Sequence, residues 1–296
     1  MQSRSSPYAA LLAAQVFFGS MPVIAKVVLK TIPPVALVSF RVVITAVALA
    51  IFQAYRNRFW LVNRNDYWRL GVLSLFGVTI NQLLFITGLS LTKASNTSLL
   101  AVTIPIFTLT VGAIIGFERL TVIKTVGIAL AAVGVLLIID PRNASFSSTT
   151  TRGDLLIVCN SLSYGIYVAT SKELITRNGV FRSMMWVFIF AAVICGPLGL
   201  WSFSSIDVTT IAPSIWLVML YIALGATAAP YLLNAYALAK VQASTVAVFV
   251  YLQPLIGFLL AVFFLNEQIG TFFIVAALLI FLGVFLVSKK WAQNET

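Results

Sequence analysis

Apolar segments about the length of a membrane-spanning helix follow one another along almost the whole sequence. One of them, Thr103–Phe117, reads TIPIFTLTVGAIIGF without a charged residue. A helix needs about 20 mostly apolar residues to cross a bilayer. Hydrophobic residues make up 60% of the 296 residues and charged residues only 9%, against roughly 25% charged in a soluble domain. The sequence therefore predicts a membrane-embedded protein, because so few charges cannot cover a water-facing surface.

The apolar segments predict ten membrane-spanning helices. Each segment is one block of helix length, without the alternation typical of a membrane barrel, and in lipid a helix satisfies its own backbone. We therefore expect an all-α membrane protein. The predicted spans are Tyr8–Val28, Pro34–Tyr55, Arg69–Leu91, Ala94–Phe117, Thr121–Ile139, Gly153–Thr170, Phe181–Ser202, Ala212–Leu238, Ala243–Leu265 and Thr271–Val287.

The first apolar segment is predicted to remain as a membrane helix. It is as long as a full span and follows a single arginine, Arg4. A secretory signal peptide has a shorter apolar core that is followed by a small-residue cleavage site. Cleavage near the alanines between Ala9 and Ala14 is the alternative that the sequence leaves open.

Lysine and arginine are distributed unevenly between the segments that connect the spans. If the N-terminus is cytoplasmic, the segments on that side hold thirteen of the 19 lysine and arginine residues, and Arg41 lies within the second span. The opposite side holds five, namely Lys26, Lys30, Lys93, Arg142 and Arg152. Because positively charged loops tend to stay in the cytoplasm, we expect both termini to be cytoplasmic. The net charge of +11 fits this topology and attraction to anionic lipid, and it does not suggest nucleic-acid binding.

The two halves of the sequence repeat each other. A shift of 149 residues places the first half on the second at alanine, serine, proline, glutamate and glycine positions. These pairs are Ala94 with Ala243, Ser95 with Ser244, Pro105 with Pro254, Glu118 with Glu267 and Gly134 with Gly283. A shift of 146 residues aligns Phe18-Gly19 with Tyr164-Gly165 and Lys26 with Lys172. So many matches in order indicate an internal duplication.

The duplication predicts two domains of five helices each. The first covers residues 1–140, the linker covers 141–152, and the second covers 153–296. Because five is an odd number, the second half enters the membrane from the opposite face, which makes an inverted repeat. Inverted repeats are common in secondary transporters, whose substrate site lies near the middle of the membrane between the halves. Two equivalent halves then supply two gates for alternating access.

The repeated pattern resembles a known family. It is similar to the EamA-type branch of the drug/metabolite transporter superfamily at Ala94–Pro105–Glu118–Gly134, Ala243–Pro254–Glu267–Gly283, Phe18-Gly19-Ser20, and Pro34 followed by Arg41. The resemblance covers nearly the whole chain. It implies a protein of the bacterial inner (plasma) membrane that exports amino acids or other small metabolites. It also implies a central cavity lined mainly by helices one, three, four, six, eight and nine.

Polar and aromatic residues near the middle of these helices are the candidate substrate-binding residues. Polar groups inside a span are costly, so they usually face a cavity or another helix. The candidates are Gln15, Phe18, Asn81, Gln82, Asn96, Asn160, Ser163, Tyr164, Tyr231, Asn234, Tyr251 and Gln253. The alternative is that they only form hydrogen bonds between helices.

Two prolines and two glutamates mark the fourth and ninth helices. Pro105 and Pro254 lie inside them, and proline removes a backbone donor and kinks a helix. We expect these kinks to act in gating, with packing alone as the alternative. Glu118 and Glu267 end the same helices and are expected to cap the start of the next helix by accepting its N–H groups.

The charged residues indicate whether transport is coupled to protons and what charge the solute carries. The chain has no histidine, and its eight acidic residues lie at helix ends or in loops, whereas a proton-driven carrier usually keeps a titratable group at depth. We therefore expect facilitated diffusion or exchange. Arg41 is expected to reach the outer interface or to pair with a helix end, with substrate binding as the less favoured alternative. An uncharged or zwitterionic solute, such as an amino acid with an apolar or aromatic side chain, fits these features.

Other functional classes fit the sequence less well. We identify no catalytic residues, no metal ligands and no cofactor motif, and Cys159 and Cys195 fit a role in packing. A channel, or a membrane sensor or scaffold without transport, is the alternative to a transporter. The expected partners are a small-molecule substrate and the lipid bilayer, and one chain can form a complete monomer because it contains both halves.

Overall fold

The computed structural model describes residues 6–92, 96–97, 100–139, 150–256 and 271–289. Within these residues the chain forms ten long helices, in the order of the predicted spans. Parts of the fourth and ninth predicted spans, most of the predicted linker, Ala94 and Glu267 lie outside the described residues. The helices are α1 (Ser6–Val28), α2 (Pro34–Tyr55), α3 (Asn65–Leu91), α4 (Thr103–Ile114), α5 (Val122–Ile139), α6 (Thr151–Asn178), α7 (Val180–Phe203), α8 (Pro213–Leu238), α9 (Ala243–Ile256) and α10 (Thr271–Ser288).

Five of the helices have the length and composition of membrane spans. Among the described residues, α1, α2, α3, α7 and α8 are long and apolar enough to cross a bilayer. The all-α membrane fold that the sequence predicts is confirmed, because the apolar blocks form helices in the expected order.

The end of α6 differs most from the prediction. It runs to Asn178, about two turns beyond the predicted Thr170. The extra turns are charged, and Arg177 pairs with Asp66 at the start of α3 while Glu173 pairs with Arg69 at 3.0 Å. The prediction ended the span at the first charged residues, but charges limit the membrane-buried part of a helix and not the helix itself.

Contacts between helix ends define two faces of the molecule. The Tyr8 hydroxyl, near the start of α1, donates to the Ser288 carbonyl at the end of α10 at 3.3 Å. We call this side the terminal face. The opposite side, on which α5 ends and α6 begins, we call the linker face. There the Thr92 hydroxyl, just after α3, donates to Asp154 in the first turn of α6 at 2.6 Å.

The helix packing repeats between the two halves. α1 packs against α8, and α6, the counterpart of α1, packs against α3, the counterpart of α8. Other strong contacts join α2 to its counterpart α7, α5 to its counterpart α10, and α4 to α6. The contact of α1 with α8 thus recurs between their counterparts α6 and α3 from the opposite face, which confirms the two inverted five-helix repeats.

Small residues let α5 and α10 approach closely. A Cβ atom on Gly283 would lie 2.3 Å from the Gly127 carbonyl oxygen, and one on Gly134 would lie 2.7 Å from the Ala276 carbonyl oxygen. The shift of 149 residues exchanges these two contacts, because it takes Gly127 to Ala276 and Gly134 to Gly283. The glycine of the repeated sequence pattern is therefore required for backbone contact between the halves, as small residues often are in membrane helix pairs.

A π-helical turn interrupts both α3 and α8. The turns are Leu75–Thr79 and Leu224–Ala228, which the shift of 149 residues superposes. A π turn breaks the regular helix ladder and is often found at functional sites. Side chains from other helices bond to carbonyls in and beside these turns: Ser163 to Phe76 at 2.7 Å, and Thr45 to Ala223 at 2.8 Å.

The prolines of α4 and α9 each follow a break in the helix. Residues 101–102 form a turn before Pro105, and Phe249–Tyr251 form a 3-10 turn before Pro254. Pro105 has no N–H to donate to the Ala101 carbonyl, and the Ile104 N–H bonds to that carbonyl instead at 3.0 Å. The two breaks touch, since the Tyr251 hydroxyl donates to the Val102 carbonyl at 2.9 Å.

Candidate functional site

A cavity of about 90 Å³ lies between the two halves. Its lining comes from α1, α2, α3, α4, α6, α8 and α9 and from the segment that leads into α4. The lining includes seven of the residues that the sequence singles out, namely Phe18, Asn81, Gln82, Asn160, Tyr164, Tyr231 and Gln253. Each half contributes to this set, so the site lies where an inverted repeat would place it.

Tyr231 is the centre of the polar contacts in the cavity. Its hydroxyl accepts a hydrogen bond from the Gln82 amide nitrogen at 2.8 Å. The hydroxyl proton has two acceptors, the Gly77 carbonyl at 2.7 Å and the Asn81 Oδ1 at 3.2 Å. Gln82 and Tyr231 are related by the shift of 149 residues, so equivalent positions of the two halves bond directly to each other.

Asn81 and Asn160 join α3 to α6 at the cavity wall. The Asn160 Nδ2 donates to the Asn81 carbonyl at 2.9 Å, and the Asn81 Nδ2 approaches the Asn160 carbonyl at 3.5 Å. Both side chains are at least nine-tenths buried. Their amides are therefore committed to helix contacts on one side and face the cavity on the other.

Aromatic rings line the same cavity. Phe18 of α1 meets the Tyr231 ring edge to face, with ring centroids 6.0 Å apart. Tyr164, the counterpart of Phe18, accepts a hydrogen bond from the Asn234 Nδ2 at 2.9 Å. The wall thus combines amide groups with apolar ring surface.

Five predicted binding residues lie outside the wall of this cavity. Gln15 is fully buried and its Oε1 accepts a bond from the Gln253 amide at 2.8 Å. Asn96 donates to Asp154 at 3.1 Å near the linker face. The other three are Ser163, Tyr251 and Asn234. Ser163 and Tyr251 bond to backbone carbonyls of neighbouring helices, and Asn234 faces a second, smaller cavity.

The second cavity is the counterpart of the first and is almost closed. It measures about 10 Å³ and lies on the terminal-face side of Tyr231. The repeat relates six lining residues of the first cavity, Phe18, Met21, Pro22, Gln82, Phe85 and Thr97, to six of the second, Tyr164, Tyr167, Val168, Tyr231, Asn234 and Val246. Equivalent residues therefore enclose an open space on the linker side and a packed one on the terminal side.

Arg41 lies beside the larger cavity and not at the interface that the sequence favoured. Only 1% of it is exposed, its Nε donates to the Thr227 hydroxyl at 2.8 Å, and it lines the larger cavity. The expectation that Arg41 reaches the outer interface is therefore wrong. The available signal was the charge itself, since an ionisable residue within a span is a functional candidate by default.

Two equivalent lysines make equivalent bonds on opposite faces. Lys26 at the end of α1 donates to the Thr92 carbonyl at 2.7 Å, and Lys172 of α6 donates to the Val241 carbonyl at 2.7 Å. Thr92 and Val241 are themselves related by the shift of 149 residues. Each lysine thus holds the first helix of its half to the segment that follows the third helix.

Glu118 caps a different helix from the one expected. It pairs with Lys124 of α5 at 2.6 Å, but the backbone N–H that it accepts, at 2.8 Å, belongs to Ser244 at the start of α9. Sequence alone suggested the start of α5 because that helix follows directly. The observed contact instead joins the two halves at the terminal face.

Comparisons with known proteins agree with one another. The sequence model of the EamA-like transporter family matches residues 5–140 and 151–289. An uncharacterized transporter of Archaeoglobus fulgidus is 26% identical over 269 residues, which cover 90% of this chain and 92% of that protein. The uncharacterized transporter YyaM of Bacillus subtilis is 23% identical over 287 residues, with coverage of 95% and 93%. A chain of known crystal structure superposes with a TM-score of 0.77 at 17% identity, covering 97% of this chain and 98% of the other, and therefore shares its fold.

Proposed function

The chain belongs to the EamA-like transporter family, and we propose that it carries small uncharged or zwitterionic metabolites, such as amino acids, across the membrane by alternating access. Family membership makes it an integral membrane transporter and not an enzyme. The substrate class, the direction of transport and the mechanism are our proposal.

The unequal opening of two equivalent cavities supports alternating access. The cavity on the linker side measures about 90 Å³ and its counterpart about 10 Å³, although the repeat relates six lining residues of one to six of the other. If the two halves exchanged their conformations, the space would close toward the linker face and open toward the terminal face. A solute bound beside Gln82 and Tyr231 would then change sides without an open pore.

Contacts within and between the two halves suggest what moves. The Lys26 and Lys172 bonds are alike in both halves, so we propose that each half keeps them throughout the cycle. The contact of Glu118 with Ser244 joins the first half to the second at the closed face. It would have to break for the cavity to open there.

The distribution of positive charge supports an orientation. On the positive-inside rule, the terminal face is cytoplasmic and the larger cavity opens toward the outside. The bacterial inner membrane, with both termini in the cytoplasm, is the location that fits this orientation and the bacterial and archaeal relatives.

The lining supports a solute with polar and apolar parts and argues against tight proton coupling. Among the described residues that line the larger cavity, Asn81, Gln82 and Asn160 offer amides, Phe18 and Phe85 offer ring surface, and none is acidic. Without a carboxyl group at the site to exchange a proton with each solute molecule, facilitated diffusion or exchange is the simpler mechanism.

Counterflow in proteoliposomes tests this proposal. The purified protein is reconstituted, the vesicles are loaded in turn with amino acids, sugars and nucleosides, and uptake of labelled trace solute is followed without an ion gradient. We expect saturable accumulation of one solute class. Flux that does not saturate and shows no exchange would indicate a channel. No accumulation in any class, with or without a proton gradient, would favour a sensor or scaffold.

A further inference from the structure

The guanidinium group of Arg41 is buried beside the central cavity with donors to spare. Its Nε is bonded to Thr227, while its Nη1 is buried and has no hydrogen-bond partner. The whole residue is 1% exposed. Arginine carries five N–H donors in a planar fork that matches a carboxylate, so one bond to a hydroxyl uses only a small part of its capacity.

No acidic group of the described residues compensates the charge. None of their carboxylate oxygens lies within 4.0 Å of the Arg41 guanidinium, and the ion pairs among them use Arg69, Lys124 and Arg177 instead. A buried charge that lacks a counter-ion is costly. The cost is removed if a ligand supplies the negative charge when it binds.

We infer that Arg41 binds the carboxylate of the solute. This inference rests on the proposed function and narrows it to solutes that carry a carboxylate group, because the cavity offers a cation and no anion among its described lining residues. Gln82 and Asn81 lie in the same wall as Arg41 and supply further polar contacts. Phe18, Met21 and Phe85 supply the apolar surface for the rest of the solute.

A hydrogen bond to Thr227 fixes one edge of the Arg41 guanidinium group. Thr227 belongs to the π-helical turn of α8, and its hydroxyl donates to the Ile222 carbonyl at 2.6 Å while it accepts from Arg41. The guanidinium group is thereby fixed on its Nε edge, and the Nη1 donor remains for a ligand.

The test compares carboxylates with the matching amides, which lack the carboxylate charge. Thermal unfolding of the purified protein in detergent is measured with three pairs: propionate and propionamide, 3-phenylpropionate and 3-phenylpropanamide, and phenylalanine and phenylalaninamide. Sodium chloride at the same ionic strength controls for inorganic anions. We expect at least one carboxylate to raise the unfolding temperature when neither its amide nor chloride does. Equal effects of acid and amide in every pair, or an equal effect of chloride, would overturn the inference.

Substitution then assigns the effect to Arg41. Arg41→Gln is expected to weaken the binding of the stabilising carboxylate about tenfold or more, as for loss of a hydrogen-bonded charge, and Arg41→Lys to restore part of it. Arg56→Gln removes an exposed positive charge just after the same helix and is expected to bind like the wild type. If Arg41→Gln does not fold, the Arg41→Lys variant and the acid–amide comparison on the wild type still decide whether Arg41 binds a carboxylate. Unchanged carboxylate binding in the Arg41 variants would contradict the inference.

The outcome for this inference is distinct from the outcome for transport. Saturable counterflow of an uncharged sugar or nucleoside that survives Arg41→Gln would leave the proposed function standing and remove the role of Arg41. Carboxylate binding that depends on Arg41 without counterflow of any bound solute would keep the site and remove the transport proposal.

Discussion

At the scale of single residues, Tyr231 shows how one hydroxyl group can organise a site. It accepts from Gln82 and has Gly77 and Asn81 as acceptors, all within 3.2 Å. These partners belong to α3, whereas Tyr231 belongs to α8. The hydroxyl therefore ties the polar wall of the cavity to the counterpart helix of the other half.

Removing that hydroxyl is expected to affect both stability and transport. Tyr231→Phe keeps the ring but leaves the buried amide of Gln82 without its acceptor, which costs about 1–3 kcal/mol. We expect a lower unfolding temperature and a lower rate of counterflow. Tyr221→Phe, on the same helix with 43% of the residue exposed, should have little effect. Equal behaviour of the two variants would contradict the role given to Tyr231.

Two lysines allow a matched test of the repeat at the residue scale. Lys26→Met and Lys172→Met each remove a bond from an ammonium to a carbonyl at 2.7 Å. Because the two bonds are equivalent, we expect each variant to be destabilised by a similar amount, about 1–3 kcal/mol. Lys30→Met, an exposed residue beyond α1, is the control. Loss of stability in only one of the two would show that the bonds are not equivalent.

At the scale of helices, the closest packing occurs where the two halves meet at α5 and α10. Gly127 and Gly283 lie opposite each other, and the carbonyl of one occupies the space of a Cβ on the other. Gly134 and Ala276 repeat the arrangement at the equivalent position. Since the obstacle is backbone, it cannot move aside as a side chain would.

A single added methyl group should therefore be harmful in α10. Gly283→Ala places a carbon 2.3 Å from the Gly127 carbonyl oxygen, and we expect a loss of about 1–3 kcal/mol or more, as for overpacked cores. The control is Gly196→Ala in α7, where the new carbon would meet nothing closer than 4.0 Å. That change should be neutral or stabilising, because alanine favours the helix over glycine. Thermal unfolding in detergent distinguishes the Gly283→Ala and Gly196→Ala variants. A Gly283→Ala protein as stable as the wild type would show that α5 and α10 can separate.

At the scale of the whole molecule, the two halves have the same packing but different openings. The larger cavity lies toward the linker face and the almost closed one toward the terminal face. Phe85 lines the first, and its counterpart Asn234 lines the second. These two positions therefore report which face the cavity is open to.

Cysteine labelling at these positions tests the conformational asymmetry. In a protein with Cys159, which is exposed, replaced by alanine, Phe85→Cys should react with a small membrane-impermeant thiol reagent added at the linker face. Asn234→Cys should react slowly with reagent added at the terminal face. A transported solute in exchange should raise labelling at Asn234→Cys, because the closed cavity must open in each cycle. The proposal of alternating access fails if both positions react equally fast from one face, because that would indicate a continuous pore.

The sequence by itself determined the class, the number of helices and the inverted repeat. Long apolar blocks have few alternatives in a bilayer, and matched prolines, glycines and lysines at constant shifts reveal a duplication without coordinates. The domain boundaries at residues 140 and 153 stay a prediction. Gly134 and Gly283 were visible as a repeated pair, although their reason, contact between backbones, was not.

Only the tertiary structure decided which polar residues share a wall and where the charge lies. Hydropathy indicates which residues lie within a membrane span but not the direction in which a side chain points. Gln82 and Asn96 therefore looked alike in sequence, yet one lines the cavity and the other binds Asp154. Arg41 was expected at the outer interface and Glu118 at the start of α5, because their partners, Thr227 and Ser244, lie more than a hundred residues away in sequence. Such contacts depend on how the two halves pack, which local sequence does not encode.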